Sequence, residues 1–157
     1  MLDIPSISAI VAAIGVIIGV VFTVLQLRDL VKTRQTDLVM RLYSTFGSRE
    51  QWEAYRSLEA MKAKDFDEYK ELPSGTKTML DSLYTFYEGV GVLLHRKLID
   101  IGLVDDLFST PIIMSWEKVE PIMKEARKRR NRPQIWEWFE YLYNEMKKRE
   151  QQLASKT

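Results

Sequence analysis

The stretch Ile7–Leu25 reads ISAIVAAIGVIIGVVFTVL and lies within a longer segment, Ile4 to Leu27, that contains no charged residue. Its nineteen residues would extend about 28 Å as an α-helix, close to the roughly 30 Å hydrocarbon core of a bilayer. Twelve of the nineteen are Ile, Val, Leu or Phe, which all favour insertion near a helix centre. We therefore predict that residues 1–27 form a transmembrane anchor.

Two other interpretations of this segment have less support. A buried helix of a soluble protein can be apolar on every side, but such helices seldom run this far without a charge. A cleavable signal peptide would need a basic start and a small-residue cleavage site. Here the only charged side chain before the apolar run is Asp3, and no Ala-x-Ala site precedes the charged segment that follows.

The charges that flank the span predict its orientation. The segment that follows it is basic, with Arg28, Lys32, Arg34 and Arg41. By the positive-inside rule, the N-terminus lies outside the cell membrane and the C-terminal part lies in the cytoplasm. The chain has no cysteine, which fits a reducing compartment.

The rest of the chain predicts an all-α protein. No Gly or Pro occurs between Gly19 and Gly47, so we expect the spanning helix to continue through residues 28–47. No later segment alternates with the period of a strand. We predict a cytoplasmic bundle of about four to five helices over 48–150 and a frayed tail over 151–157.

Local signals place the helices of this bundle. Ser48 and Gln51 have capping-box spacing before a helix that would bury Trp52, Tyr55 and Leu58, and Asp65 with Glu68 repeats the signal. After Pro73, Ser74 can cap a further helix. Later, Thr110 followed by Pro111 predicts a helix start, and the last helix is expected to begin near Pro133.

The helix after Ser74 is expected at the centre of the bundle because it carries two apolar seams. Gly89 and Gly91 within it would allow a neighbouring backbone to approach closely. One seam comprises Met79, Leu83, Phe86, Val90 and Leu93, and the other Leu80, Tyr84, Tyr87, Gly91 and Leu94.

A resemblance supports this architecture. Trp116, Glu117, Pro121, the basic run to Arg132, Pro133 and the aromatic helix that follows resemble a group of uncharacterised prokaryotic proteins. Members of that group combine one N-terminal span with a small helical cytoplasmic domain. The resemblance implies the architecture and no activity.

Small residues form a stripe along one face of the span. Because lipid tails are as apolar as Leu, helices associate in a bilayer through close packing, which small side chains permit. The stripe therefore favours a contact with another membrane helix over a face that only touches lipid. It comprises Ser8, Ala12, Gly15, Gly19 and Thr23.

Two further surfaces could bind partners. A basic run could meet anionic lipid or an acidic partner, or simply be a solvated helix end; it comprises Lys124, Arg127, Lys128, Arg129, Arg130 and Arg132. Trp138 and Tyr141 lie off the core seam of the last helix and could contact a partner or another helix of the chain. The net charge of +1 argues against nucleic-acid binding.

The sequence gives little support for a catalytic or metal-binding site. His95 is the single histidine, and the Glu-x-x-Glu pairs are interleaved with other charges, so we predict no catalytic residue, cofactor or metal. We expect a non-enzymatic membrane protein that acts by assembly, as a homo-oligomer or as an accessory or scaffold subunit of a membrane complex. The alternatives are a pore built from copies of the span and, third, a membrane-tethered enzyme.

Overall fold

A computed structural model describes the backbone of residues 4–155 and the side chains of residue 8 and of residues 11–155. The described residues contain six helices and no strand, so the all-α prediction is confirmed. The helices are α1 (Ile4–Phe46), α2 (Arg49–Ala60), α3 (Phe66–Glu71), α4 (Ser74–His95), α5 (Ile101–Arg130) and α6 (Glu137–Ala154).

The chain divides into two compact units, of which the first ends at Asp37 and the second begins at Leu38. The first unit contains the apolar part of α1. The second contains the last turns of α1 and the other five helices, and this unit is called the bundle below.

Helix α4 lies at the centre of the bundle, as its two seams predicted. It packs against α2 and α6, while α5 packs against α6, α3 and α2. Leu80, Leu83, Tyr84 and Tyr87 are fully buried along it. The prediction fails at one end of the first seam: Met79 is 41% exposed, since it sits one turn from the start of α4 at the surface near Ser57 of α2.

The last turn of α1 is part of the bundle core. Phe46 is 6% exposed, and its ring centroid lies 5.6–6.2 Å from those of five other aromatic residues. These are Trp52, Tyr55, Phe86, Tyr87 and Phe108. Burial of one large aromatic side chain contributes about 1.5–3 kcal/mol, which is sufficient to hold this turn on the bundle.

The start of α2 confirms the cap but corrects the buried face. Ser48 accepts a hydrogen bond from the backbone N–H of Gln51, as predicted. The Gln51 side chain does not close the capping box; it is buried and donates to the Ser82 hydroxyl at 3.0 Å. Because Gln51 faces α4, Trp52 points outward and is 47% exposed, so its predicted burial is wrong.

The predicted cap of α4 is also wrong. Ser74 is the first helical residue, and Pro73 holds the N-cap position with no side-chain cap among the described residues. The carbonyl of Pro73 accepts the first helical hydrogen bond, from Lys77 N–H at 3.0 Å. By contrast, Asp65 caps α3 as predicted, and its carboxylate accepts from the backbone N–H groups of Asp67 and Glu68.

Helix α5 is longer than predicted. The chain runs as one helix from Ile101, capped by Asp100, through Pro111 to Arg130, so the helix start predicted at Thr110 is wrong. A proline inside a helix costs about 3 kcal/mol. Phe108 and Ile112, four residues apart, are both buried on the inward face, and burying these two side chains together offsets a cost of that size.

The last helix begins later than predicted. Residues 131–136 form a turn, and α6 starts at Glu137 and not near Pro133. Two residues of this turn, Asn131 and Trp136, have positive φ angles of 49° and 56°. Asn adopts this left-handed conformation readily, whereas Trp does so only when its surroundings hold it there.

Candidate functional site

The apolar part of α1 is long and apolar enough to cross a membrane. Its best window has a mean hydropathy of 2.2 and is 0% buried within the described chain. Large side chains on every side of the helix are exposed, including Val16 at 66%, Ile17 at 63% and Phe22 at 62%. An exposed apolar surface of this extent is unfavourable in water and marks an interaction with lipid or protein.

The predicted small-residue stripe lies on this exposed helix. A Cβ atom added at Gly15 or Gly19 would meet no atom of the described chain within 4 Å. The Thr23 hydroxyl donates to the Gly19 carbonyl at 2.8 Å, so its hydrogen bond is made within α1. Ser8 and Ala12 are exposed as well. The structure thus leaves room for another helix, and contact by the stripe stays a prediction.

The basic run is not one uniform patch, because Arg127 is used inside the bundle. Its side chain is only 15% exposed. The guanidinium donates to the carbonyls of Ile135 at 2.7 Å and Trp136 at 3.1 Å and pairs with Glu140. Arg127 therefore holds the turn that joins α5 to α6, a role that the sequence analysis missed.

Two more cations of the run are paired. Arg129 makes two hydrogen bonds to the Asp67 carboxylate, at 2.6 and 2.7 Å, and one to Glu125. The guanidinium of Arg129, together with Lys70, holds the pKa of Asp67 below its usual range. Lys124 pairs with Glu120 at 2.7 Å.

Three cations of the run remain available to an external anion. Lys128, Arg130 and Arg132 are exposed and form no ion pair with the described residues. Of the six predicted residues, Lys124, Arg127 and Arg129 have carboxylate partners within the bundle and these three do not. Binding of lipid or of an acidic partner by them stays a prediction.

The aromatic residues Trp138 and Tyr141 lie against His95 at the end of α4. Their ring centroids are 4.5 and 5.3 Å from that of the imidazole. Both are half buried, so part of their surface contacts another helix of the same chain and part remains accessible. Partner binding through them stays a prediction.

Glu88 is half buried and makes a contact between α4 and α6 that the sequence analysis did not single out. It is the single charged residue between Asp81 and His95 in an apolar helix, and this was the available signal. Its carboxylate accepts from the backbone N–H of Phe139 at 2.8 Å. Burial raises the pKa of Glu88 above its ordinary value, although backbone bonds from Phe139 and Trp138 lower it.

A cavity of about 280 Å³ opens between α3, α4, the end of α5 and the 131–136 turn. Its floor is apolar and comprises Phe66, Ile122, Met123, Ala126, Ile135 and Trp136. Its rim is polar and comprises Tyr69, Lys70, Lys77, Asp81 and Arg130. The sequence pattern did not predict this cavity, because its lining residues come from four separate segments of the chain.

Within residues 4–155, no group of three or more His, Asp or Glu residues is placed to hold a metal ion. A family model, described as a domain of unknown function (DUF4760), matches residues 9–146. The chain belongs to the DUF4760 family. No curated protein and no solved structure gave a match.

The DUF4760 match extends over most of α1 and over the whole bundle to Met146. The apolar helix and the helical domain are therefore parts of one family unit. The match includes Glu88, Arg127 and every residue that lines the cavity, and from the stripe it omits only Ser8. This DUF4760 member thus belongs to an uncharacterised family, as the resemblance implied.

Proposed function

We propose that the protein is a single-pass membrane protein that acts by assembly, as a homo-oligomer or as an accessory subunit of a membrane complex. The observation that carries this proposal is the exposed apolar helix with Gly15 and Gly19 open on one face. The helical bundle, in this proposal, lies in the cytoplasm and adds contacts to the assembly.

Membrane insertion is supported by the energetics of α1. Leu, Ile, Phe and Val each contribute about −0.3 to −0.6 kcal/mol to insertion near a helix centre. The segment between Ile4 and Leu27 carries no charge to oppose this gain. The apolar window of the helix is 0% buried within the described chain, so lipid is the medium that would bury it.

Assembly is supported by the open glycine face. A helix that served only as an anchor would need no small residues, since lipid tails adapt to any side chain. Glycines four residues apart let two helix backbones approach closely, and the resulting packing drives association in lipid. Because the Thr23 hydroxyl bonds within its own helix, it presents little polar surface against this packing.

The orientation with the N-terminus outside the cell membrane is part of the same proposal, as is a prokaryotic source. Basic residues after the span favour the cytoplasmic side, and the exposed Lys128, Arg130 and Arg132 would meet anionic lipid or an acidic partner there. Single-cysteine labelling tests the orientation because the chain has no cysteine of its own.

An impermeant maleimide should label Ser6→Cys in intact cells and Asn144→Cys only after the membrane is permeabilised. Labelling in the opposite pattern would contradict the orientation.

Assembly can be tested by replacing the two glycines of the open face. Gly15→Leu combined with Gly19→Leu should reduce the mass of the complex that is extracted in mild detergent and measured by light scattering. Ala13→Leu combined with Ile17→Leu is the matched control, since about 100° per residue places both positions on the opposite side of the helix. An unchanged mass in the glycine variant, or an equal loss in the control, would overturn the role of this face.

A further inference from the structure

We infer that the cavity between α3, α4 and α5 binds an organic phosphate, with the phosphate at the rim against Arg130 and Lys77 and an apolar group on the floor. The inference concerns the bundle alone and does not depend on the proposed assembly. It rests on four features of the cavity, which are its charge, its unpaired cations, its floor and an adjacent buried hydroxyl.

The rim carries three cations and one carboxylate. Because Lys70 is paired with Asp67 outside the cavity, Lys77 and Arg130 exceed the charge of Asp81 by one. A phosphate monoester carries about −1.5 to −2 charges at pH 7 and three strong acceptor oxygens, so Lys77 and Arg130 can each bind an oxygen of their own. Arg also presents several donors in a planar fork that matches phosphate oxygens.

Two of the three rim cations are free to bind an anion. Arg130 lies over the Phe66 ring, with its guanidinium carbon 5.7 Å from the ring centroid, and has no ion pair with the described residues. Lys77 donates one hydrogen bond, to the Lys70 carbonyl at 2.7 Å, and two of its three N–H donors remain. Lys70 is already paired with Asp67 at 2.8 Å.

The floor is suited to an apolar group. Phe66, Ile122, Met123 and Ala126 are all buried side chains that reach the cavity, and the half-buried Trp136 closes one side. At about 280 Å³ the cavity is near the lower limit for small-molecule sites, so it would hold a phosphate with one ring or a short acyl segment.

An unsatisfied hydroxyl lies behind the lining of the cavity, on Tyr84, which does not itself line the cavity but contacts Trp136, which does. Tyr84 is fully buried, and its hydroxyl has no hydrogen-bond partner among the described residues. It follows Lys77 and Asp81 on the same face of α4 and touches the Trp136 ring edge-on, at 5.7 Å between centroids. Burial raises the pKa of Tyr84 above its usual range, with further contributions from Tyr69 and Asp81, so it stays a neutral donor.

The test uses the full chain in nanodiscs of phosphatidylcholine, titrated with phenyl phosphate by calorimetry. We expect saturable binding, and an affinity about tenfold lower in Arg130→Ala and in Lys77→Met, because each variant loses one charged hydrogen bond. Lys128→Ala is the matched control, since it removes an exposed cation of the same helix outside the cavity. Asp81→Asn should strengthen binding, because it removes the rim's negative charge and keeps an acceptor for Tyr69.

The floor has its own test. Phenyl phosphate should bind more tightly than inorganic phosphate by about tenfold or more, since the ring would be buried. Equal affinities would overturn the apolar half of the inference. Absence of saturable binding by phenyl phosphate, or an equal loss of affinity in Lys128→Ala, would overturn the site itself.

A second arm distinguishes a soluble organic phosphate from a lipid headgroup. Nanodiscs in which part of the phosphatidylcholine is replaced by phosphatidic acid should weaken phenyl phosphate binding if the headgroup occupies the same site. Unchanged binding would assign the site to a soluble phosphate. Either result supports binding of a phosphate group in the cavity. Assembly is tested separately, by the mass of the extracted complex.

Discussion

Glu88 in the middle of α4 caps α6, because its carboxylate accepts a hydrogen bond at 2.8 Å from the backbone N–H of Phe139. The N-cap residue of α6, Trp136, supplies no side-chain cap within the described residues. A carboxylate at this end also interacts favourably with the helix dipole. One side chain thus fixes the start of α6 against the central helix.

Replacing Glu88 by Gln should change how stability depends on pH. Burial raises the pKa of Glu88 above its ordinary 4.5, so the folded state binds the proton more tightly than the unfolded state. Ionised Glu88 therefore destabilises the folded state. This cost is complete at pH values above the pKa of Glu88 in the folded state, and it disappears as the pH falls toward 4.5. Gln keeps an acceptor for the backbone N–H of Phe139 but carries no charge. The stability of Glu88→Gln relative to the wild type should therefore increase as the pH rises.

This comparison can be measured by urea unfolding of the full chain in mild detergent at several pH values, followed by near-ultraviolet circular dichroism. Glu50→Gln is the control, since it removes an exposed carboxylate from the first turn of another helix, α2. A difference between Glu88→Gln and the wild type that stays constant from acid to neutral pH would contradict the prediction.

Helix boundaries were predictable where local and tertiary effects agree. Ser48 and Asp65 are caps in both the sequence pattern and the structure, because each precedes a segment whose apolar face is buried. Thr110 and Pro111 have an equally strong local pattern, yet the helix passes through them. There the burial of side chains on both sides of the proline decides the structure, and no local pattern contains that information.

The two glycines of α4 offer a test of close packing. A Cβ at Gly91 would overlap the carbonyl oxygen of Trp138 and lie 2.6 Å from its carbonyl carbon, whereas one at Gly89 meets nothing within 4 Å in the described chain. Gly91→Ala should therefore destabilise the bundle by about 3 kcal/mol, since a helix backbone cannot move aside easily. Gly89→Ala, the matched control, should stabilise it by about 0.5–1 kcal/mol.

Thermal unfolding in detergent would check both variants. Equal effects at the two positions would show that helix propensity, and not contact with α6, determines the result. The sequence analysis expected close approach at both glycines and was wrong at Gly89, because spacing alone does not tell which side of α4 faces α6.

The candidate site was less predictable than the fold. The pattern of charges showed a basic run but not that Arg127 turns inward or that Arg129 binds Asp67, which is 62 positions away in the chain. The cavity was invisible for a similar reason, since residues from separate helices form it. Composition and periodicity report on single helices, whereas these contacts depend on how helices are placed together.

Arg127 should be important for the turn between α5 and α6. Its guanidinium bonds to the carbonyls of Ile135 and Trp136, and it supports Trp136 in a left-handed conformation. Arg127→Lys keeps the charge but cannot form the same set of bonds, so we expect a loss of about 2 kcal/mol or more in unfolding free energy. Lys128→Arg, its exposed neighbour, should have no measurable effect, and a similar loss there would count against this interpretation.

The cap of α5 gives a final test of the corrected boundaries. The carboxylate of Asp100 accepts from the backbone N–H groups of Gly102 at 2.8 Å and Leu103 at 3.3 Å. Asp100→Ala should cost about 1 kcal/mol of unfolding free energy, because two donors at the helix start lose their partner. Ser74→Ala is the comparison, since Ser74 is the first residue of α4 and not its cap, and we expect little change. If urea unfolding showed the larger loss for Ser74→Ala, the helix starts derived from the structure would be wrong and the local sequence signal would be the better guide.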